Sequence, residues 1–181
     1  MQWCLIFEDA TVQPLFQKLD GKQKVLVLSA YIYRQARLIK DFDRYYGEDF
    51  FGLLVRGLTS VILGENDTIK NVEQEVLNNI PDTDEFSEQE GAYAQNIMIA
   101  LDYLLLYMLS GDVSDMQRSV DMCLQNIDLL CYEVDEAYDE NKVVEQEASV
   151  VFNIINSIGD VSVGLYSDIV SIQGLARKYM I

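Results

Sequence analysis

The chain is a succession of apolar stripes at helical spacing, separated by short polar breaks. Lys22 to Phe42 carries Val25, Leu28, Ile32, Ala36 and Ile39 at steps of three and four, which predicts one helix with one buried face. Arg34, Arg37 and Lys40 fall towards its C-terminal end, where cations suit the helix dipole. Ahead of it, Pro14 fits the first turn of a short helix ending at Leu19, and Asp20-Gly21 breaks the pattern. Residues 1–12 hold Trp3, Leu5, Ile6 and Phe7 too close together for one helical face and predict a loosely packed tail.

The next stripe, Phe50, Leu53, Leu54, Leu58, Val61 and Ile62, is opened by Glu48 and Asp49 and closed by Gly64. Thr68 is the expected cap of a further helix with Val72, Val76, Leu77 and Ile80 inward and Glu73 and Glu75 outward, stopped by Pro81. From Pro81 to Gly91 there are five acids and no base. The helix that follows, about 92–109, has Asp102 as its only charge between Ile97 and Leu109, so it must be buried nearly all round, and Ser110-Gly111 ends it.

Asp112 or Ser114 caps the following helix, predicted to reach Tyr138. Met116, Val120, Cys123, Leu124, Ile127, Leu130, Cys131, Val134 and Tyr138 fall within an arc of roughly 120° at ~100° per residue. Asp121, Asp128, Asp135 and Asp139 line one flank of that arc, with Tyr132 just beyond. A turn at 139–141 leads to a helix over 142–158 with Val144, Ala148, Val151, Phe152 and Ile155 inward and Glu145 and Glu147 towards solvent. Gly159-Asp160 precedes a last helix, 161–178. Without strand alternation or an internal repeat, the fold class is all-α: one domain over 1–181, a bundle of seven to eight helices around the helix at 92–109.

Charge changes the picture more than length does. The net charge of −17 is concentrated in residues 61–160, which hold 22 acids and 3 bases, while the flanking segments are each +1. Such a field opposes nucleic acid and anionic membrane and favours a basic protein partner. There is no histidine, which removes the commonest general base and most zinc and di-iron sites. Phosphate-cradling glycine loops, a nucleophile elbow and a calcium loop are also missing; Asp82-Thr83-Asp84 lacks the glycine that a calcium loop needs. No cofactor and no metal are expected. Cys4, Cys123 and Cys131 form no CxxC pair and are expected as small apolar core residues in a reducing compartment. The start lacks a secretory pattern, and the apolar run 97–109 is shorter than the ~20 residues a bilayer requires, so a soluble cytoplasmic protein is expected. Asp102 reads first as the partner of one of Arg34, Arg37, Arg44 or Arg56, and second as a desolvated acid or base.

Three stretches carry a family resemblance: FQKLDGKQKVLVLSAYIYRQARLI, NNIPDTDEFSEQEGAYAQNIMIALDYLLLYMLSGD and NKVVEQEASVVFNIINSI. In order and spacing the chain resembles the YjaG-like family of uncharacterised bacterial all-helical proteins. It looks like a diverged member, with Lys22, Ala148 and Val151 where that family carries aromatic residues. The resemblance implies an all-helical single domain and no activity. The functional expectation rests on charge: a non-enzymatic immunity or antitoxin-type protein that neutralises a basic toxin, a nuclease above all, by covering its positive active-site surface. Asp82, Asp84, Glu85 and Glu88 in the loop, Asp121, Asp128, Asp135 and Asp139 on the helix flank, and Tyr132 as anchor are its candidate contacts. The competing expectation is a housekeeping adaptor or homodimer whose acidity serves solubility alone.

Overall fold

A computed structural model describes residues 1–134, 138–159 and 168–181. Ten α-helices and no strand occur among them: α1 (Trp3–Phe7), α2 (Gln13–Lys18), α3 (Gly21–Tyr33), α4 (Ala36–Tyr46), α5 (Phe50–Leu63), α6 (Asn66–Asn78), α7 (Gln89–Ser110), α8 (Val113–Val134), α9 (Glu140–Gly159) and α10 (Ile169–Ala176), followed by a 3-10 turn, Arg177–Tyr179. The all-α bundle is as expected, and eight of these helices have seven residues or more.

Local chemistry sets several of the helix ends. Asp20 accepts from the Gln23 backbone N–H while the Gln23 side chain accepts from the Asp20 N–H, a reciprocal cap that starts α3. Asp49 starts α5. Gly64 and Gly111 close α5 and α7 at φ +71° and +74°, a backbone region glycine enters without a side-chain clash. The expected cap at Thr68 is not formed; α6 begins two residues earlier, and the Thr68 hydroxyl donates to Glu65 from inside the helix.

α7 is the central element. It packs against α8, α6, α4, α5 and α3, with Ile97, Met98, Leu101, Leu104 and Leu105 fully buried. By length and composition it is the one helix among the described residues that could cross a membrane. Half of its most apolar stretch is buried, with Tyr107 and Met108 half-buried and Leu109 exposed, so it is not buried nearly all round as expected.

Other expectations also need correction. The N-terminal segment is not a loose tail: Trp3 stacks on Phe7 (centroids 3.9 Å apart), Phe16 stands edge-on to both, and Phe7 meets Tyr31. Two aromatic residues four apart need only a five-residue helix to share a face, so the pattern was too short to show periodicity. The long helix expected over 22–42 breaks at Arg34-Gln35, although no proline or glycine stands there. Tertiary bonds hold the corner: both side chains are buried, Arg34 bonding to α9 and Gln35 to α8. Glu73 and Glu147, expected outward, are buried, whereas Leu77 and Phe152 are exposed and Val144 is only half-buried. On α9 the buried stripe runs Val143, Glu147, Val151, Ile154 and Ile158, and on α6 it runs Ile69, Glu73 and Val76. In each helix a glutamate occupies a core position, which a reading that sends every charge to solvent misplaces. Finally, Cys123 is buried as expected and Cys131 is partly buried, but Cys4 is exposed. Residues 135–137, the expected continuation of α8, and the expected start of the last helix at 161 lie outside the described residues. Tyr138, the expected end of α8, is described and is not helical.

Candidate functional site

The turn Ser110–Asp112 folds α7 and α8 back on each other, and polar bonds fix their register. The Ser119 hydroxyl donates to the Ala100 carbonyl (2.6 Å), and the Asn126 amide donates to the Tyr93 carbonyl (3.0 Å) while accepting from Asn96 (2.8 Å). Residues of α7 and α8 at one level therefore sum to about 219, which puts Tyr132 level with the start of α7. Antiparallel pairing thus brings the acidic loop and the C-terminal end of α8 to the same end of the bundle.

The loop is anchored from inside and charged outside. Phe86 packs against Phe42 and Tyr46, with ring centroids 5.0 and 4.9 Å away. The Phe86 N–H donates to the Asp82 carbonyl (2.8 Å), and the Gln95 side chain donates to the Pro81 carbonyl (2.7 Å). Gly91 is required by close approach, since a Cβ there would lie 1.9 Å from the Phe86 carbonyl oxygen. Asp82, Asp84, Glu85 and Glu88 all remain exposed. The Glu88 N–H donates to the Tyr46 hydroxyl (3.2 Å), tying the loop to the α4–α5 turn, where Glu48 and Asp49 are also exposed and Tyr45 is 61% exposed. Sequence reasoning missed this second acidic turn because it lies outside the strongly charged middle of the chain.

The aspartate flank of α8 divides. Asp121 accepts from the Trp3 backbone N–H (2.5 Å), and Asp128 takes the Met1 amino group and the Tyr138 hydroxyl. Both are partly buried under the N-terminal segment, so their charges hold α1 in place; an outward acidic stripe is not formed by these two. The bond to Asp128 raises the Tyr138 phenol above its ordinary range. Asp139 is exposed and accepts from the Asn141 backbone N–H (3.0 Å), and Tyr132 is 70% exposed with its ring edge-on to Tyr138. Asp135 lies outside the described residues.

Asp102 has none of the expected arginine partners. It is 7% exposed, its Oδ1 has no hydrogen-bond partner among the described residues, and burial, with Glu73 and Asp115 adding like charge, pushes its pKa up to about 6. The buried arginine pair is elsewhere. Arg34 bridges to Glu147, which also accepts from the Tyr31 hydroxyl (2.6 Å), and the Arg34 Nε donates to the Tyr179 carbonyl (2.8 Å). Its signal in the sequence is the placement of Glu147 four residues after Val143 and four before Val151, on the apolar stripe of α9.

Beside that pair, α4, α8, α9 and the corner at Arg34 bound a cleft of about 630 Å³. Arg34 and Glu147 line it, together with Arg37, Lys142 and the half-buried thiol of Cys131. The same chemistry keeps that thiol protonated, because burial and the nearby Glu147 and Asp128 carboxylates raise its pKa. No group of His, Cys, Asp and Glu side chains suited to a metal ion occurs among the described residues.

Comparison of the chain with protein-family models, with characterised proteins and with solved structures found no match.

Proposed function

We propose that this chain is an immunity or antitoxin-type binding protein that neutralises a basic protein toxin, a nuclease, by occluding its phosphate-attracting surface. The supporting observation is the acidic loop: Asp82, Asp84, Glu85 and Glu88 are exposed on a backbone held by Phe86, Gly91 and Tyr46. A nuclease must draw phosphate, so its site is basic, and a preorganised acidic surface competes for it with electrostatically steered association. Glu48, Asp49 and Tyr45 extend the loop surface, and Tyr132, Asp139 and Glu140 sit at the same end of the α7–α8 pair. Tyr45 and Tyr132 supply exposed aromatic area of the kind that anchors an interface. Asp121 and Asp128 belong to the internal framework in this reading and make no partner contact.

Affinity capture with the full chain from its own cells, followed by a nuclease-protection assay on the captured protein, tests the proposal. The expected result is a basic nuclease whose activity the chain suppresses at equimolar ratio. Reversing charge at Asp82, Asp84, Glu85 and Glu88 to Lys is expected to slow association at least tenfold at low salt and to flatten its salt dependence. A bound partner that is acidic, or an association rate indifferent to the four reversals, would sink the proposal.

A further inference from the structure

The cleft beside the Arg34–Glu147 pair has a composition unlike the rest of the molecule. Its walls are apolar: Leu38 of α4, Ile127 and Leu130 of α8, Val143 and Val150 of α9, and Ile181 beyond α10. The charged side chains lining it are three cations, Arg34, Arg37 and Lys142, and two anions, Asp139 and Glu147. A chain of net charge −17 with 13 basic residues therefore gathers three of them around one cavity. The two anions are already engaged, Glu147 by Arg34 and Tyr31 and Asp139 by the Asn141 N–H. On the cationic side there is spare capacity. Arg34 is buried, yet its Nη2 makes no hydrogen bond among the described residues, and Lys142 is exposed with no ion-pair partner among them. Arg37 is 75% exposed, so its 3.5 Å contact to Asp41 leaves its guanidinium open to solvent.

We propose that this cleft is a binding site for an amphipathic monoanion, an aliphatic carboxylate whose chain lies along the apolar walls and whose head is held among Lys142, Arg37 and Arg34. About 630 Å³ falls inside the ~300–1,000 Å³ typical of small-molecule sites, and apolar walls with a few convergent polar groups are their usual composition. None of the acidic-loop residues lines the cleft; Asp139 is common to the cleft and to the surface proposed for the partner.

Calorimetric titration of the full chain with decanoate, kept below its micelle concentration, is the test. Saturable one-to-one binding is expected, tightening about fourfold for each methylene from hexanoate to decanoate, as burial of a CH₂ group requires. Decanol should bind at least tenfold more weakly than decanoate. Lys142→Glu, a change at an exposed position, should weaken decanoate about tenfold, and Val150→Trp should fill the cleft and abolish binding with the far-UV spectrum unchanged. In a Cys4→Ser background decanoate should also shield Cys131 from a thiol reagent, Cys123 being buried out of reach. Absence of saturable binding, decanol binding as tightly as decanoate, an unaltered affinity in Lys142→Glu, or an unshielded Cys131 would each overturn the assignment. Should Val150→Trp fail to fold, the Lys142→Glu and Cys131 results decide the matter alone.

Discussion

Asp102 and Glu147 are buried carboxylates that this bundle treats in opposite ways. Glu147 receives a guanidinium and a phenol; Asp102 receives two more acids at a distance and leaves one oxygen without a hydrogen bond among the described residues. The folded protein therefore holds the Asp102 proton up to about pH 6, whereas the ordinary value is 3.8. Between those values the folded state binds more protons than the unfolded state, so this group's contribution falls as pH rises and its full penalty persists above pH 6. Asp102→Asn is expected to raise stability at pH 7.5 by about 1–3 kcal/mol, at ~1.4 kcal/mol per pKa unit, and to leave it unchanged below pH 4. Urea denaturation of both proteins at the two pH values checks this, and equal stabilities at pH 7.5 would show that the carboxylate is not disfavoured in the fold. For the pair, Arg34→Leu or Glu147→Leu alone should cost about 3–5 kcal/mol, because each strands a buried charge. The double variant should cost much less than the sum, and a double-mutant cycle with zero coupling would contradict that. Neither arrangement was legible in the sequence. A helical wheel shows that Asp102 and Glu147 sit among apolar neighbours, but the identity of a partner more than a hundred residues away, as Arg34 is to Glu147, depends on packing.

At the scale of elements, the sequence was most readable where a stripe is long. α5, α7 and α9 lie within a few residues of their expected bounds, as does the start of α8, because three or more turns of apolar spacing leave little freedom in the assignment. It was least readable where an element is short or where tertiary bonds override local preference, as in α1 and at the α3–α4 corner. The candidate site follows the same division. Exposure of the four loop acids was legible because nothing apolar recurs at helical spacing between Pro81 and Gly91, whereas the covering of Asp121 and Asp128 by α1 was not, since a wheel drawn for α8 contains no information about α1. The loop also depends on a residue with no side chain. Gly91→Ala would drive a methyl group into the Phe86 carbonyl, so the loop must leave Phe42 and Tyr46 or α7 must shift. A loss of about 2–3 kcal/mol is expected, with increased proteolysis between Asp82 and Glu88 as the local readout. Unchanged melting together with unchanged cleavage would remove the anchoring role given to Phe86.

For the molecule as a whole, −17 charges on one chain repel each other in the compact state more than in the expanded one. Raising salt from 0.01 M to 1 M shortens the screening length from ~30 Å to ~3 Å, so Tm should climb by about 2–8 °C over that range in sodium chloride. A flat or falling Tm would mean that the acids are spread too widely to interact, and would weaken the case that they form one field able to steer a partner. The Arg34–Glu147 pair is largely buried, so the Arg34→Leu loss should vary with salt much less than the surface repulsion does, separating internal from surface electrostatics.

The corner at Arg34-Gln35 has a consequence for how the chain comes apart. Its two adjacent side chains reach in different directions: Arg34 to α9 and to the Tyr179 carbonyl, Gln35 to the Cys123 carbonyl and the Asn126 amide of α8. The Arg34 carbonyl additionally accepts from the Ile181 N–H (3.0 Å). α8, α9 and the segment 179–181 thus meet at one two-residue joint, and none of them can detach without breaking a bond made there. Under native conditions the amides of α3, the middle of α8 and α9 should exchange with solvent together, in a single cooperative opening at the global unfolding free energy, while α6, remote from the joint, exchanges through smaller fluctuations of its own.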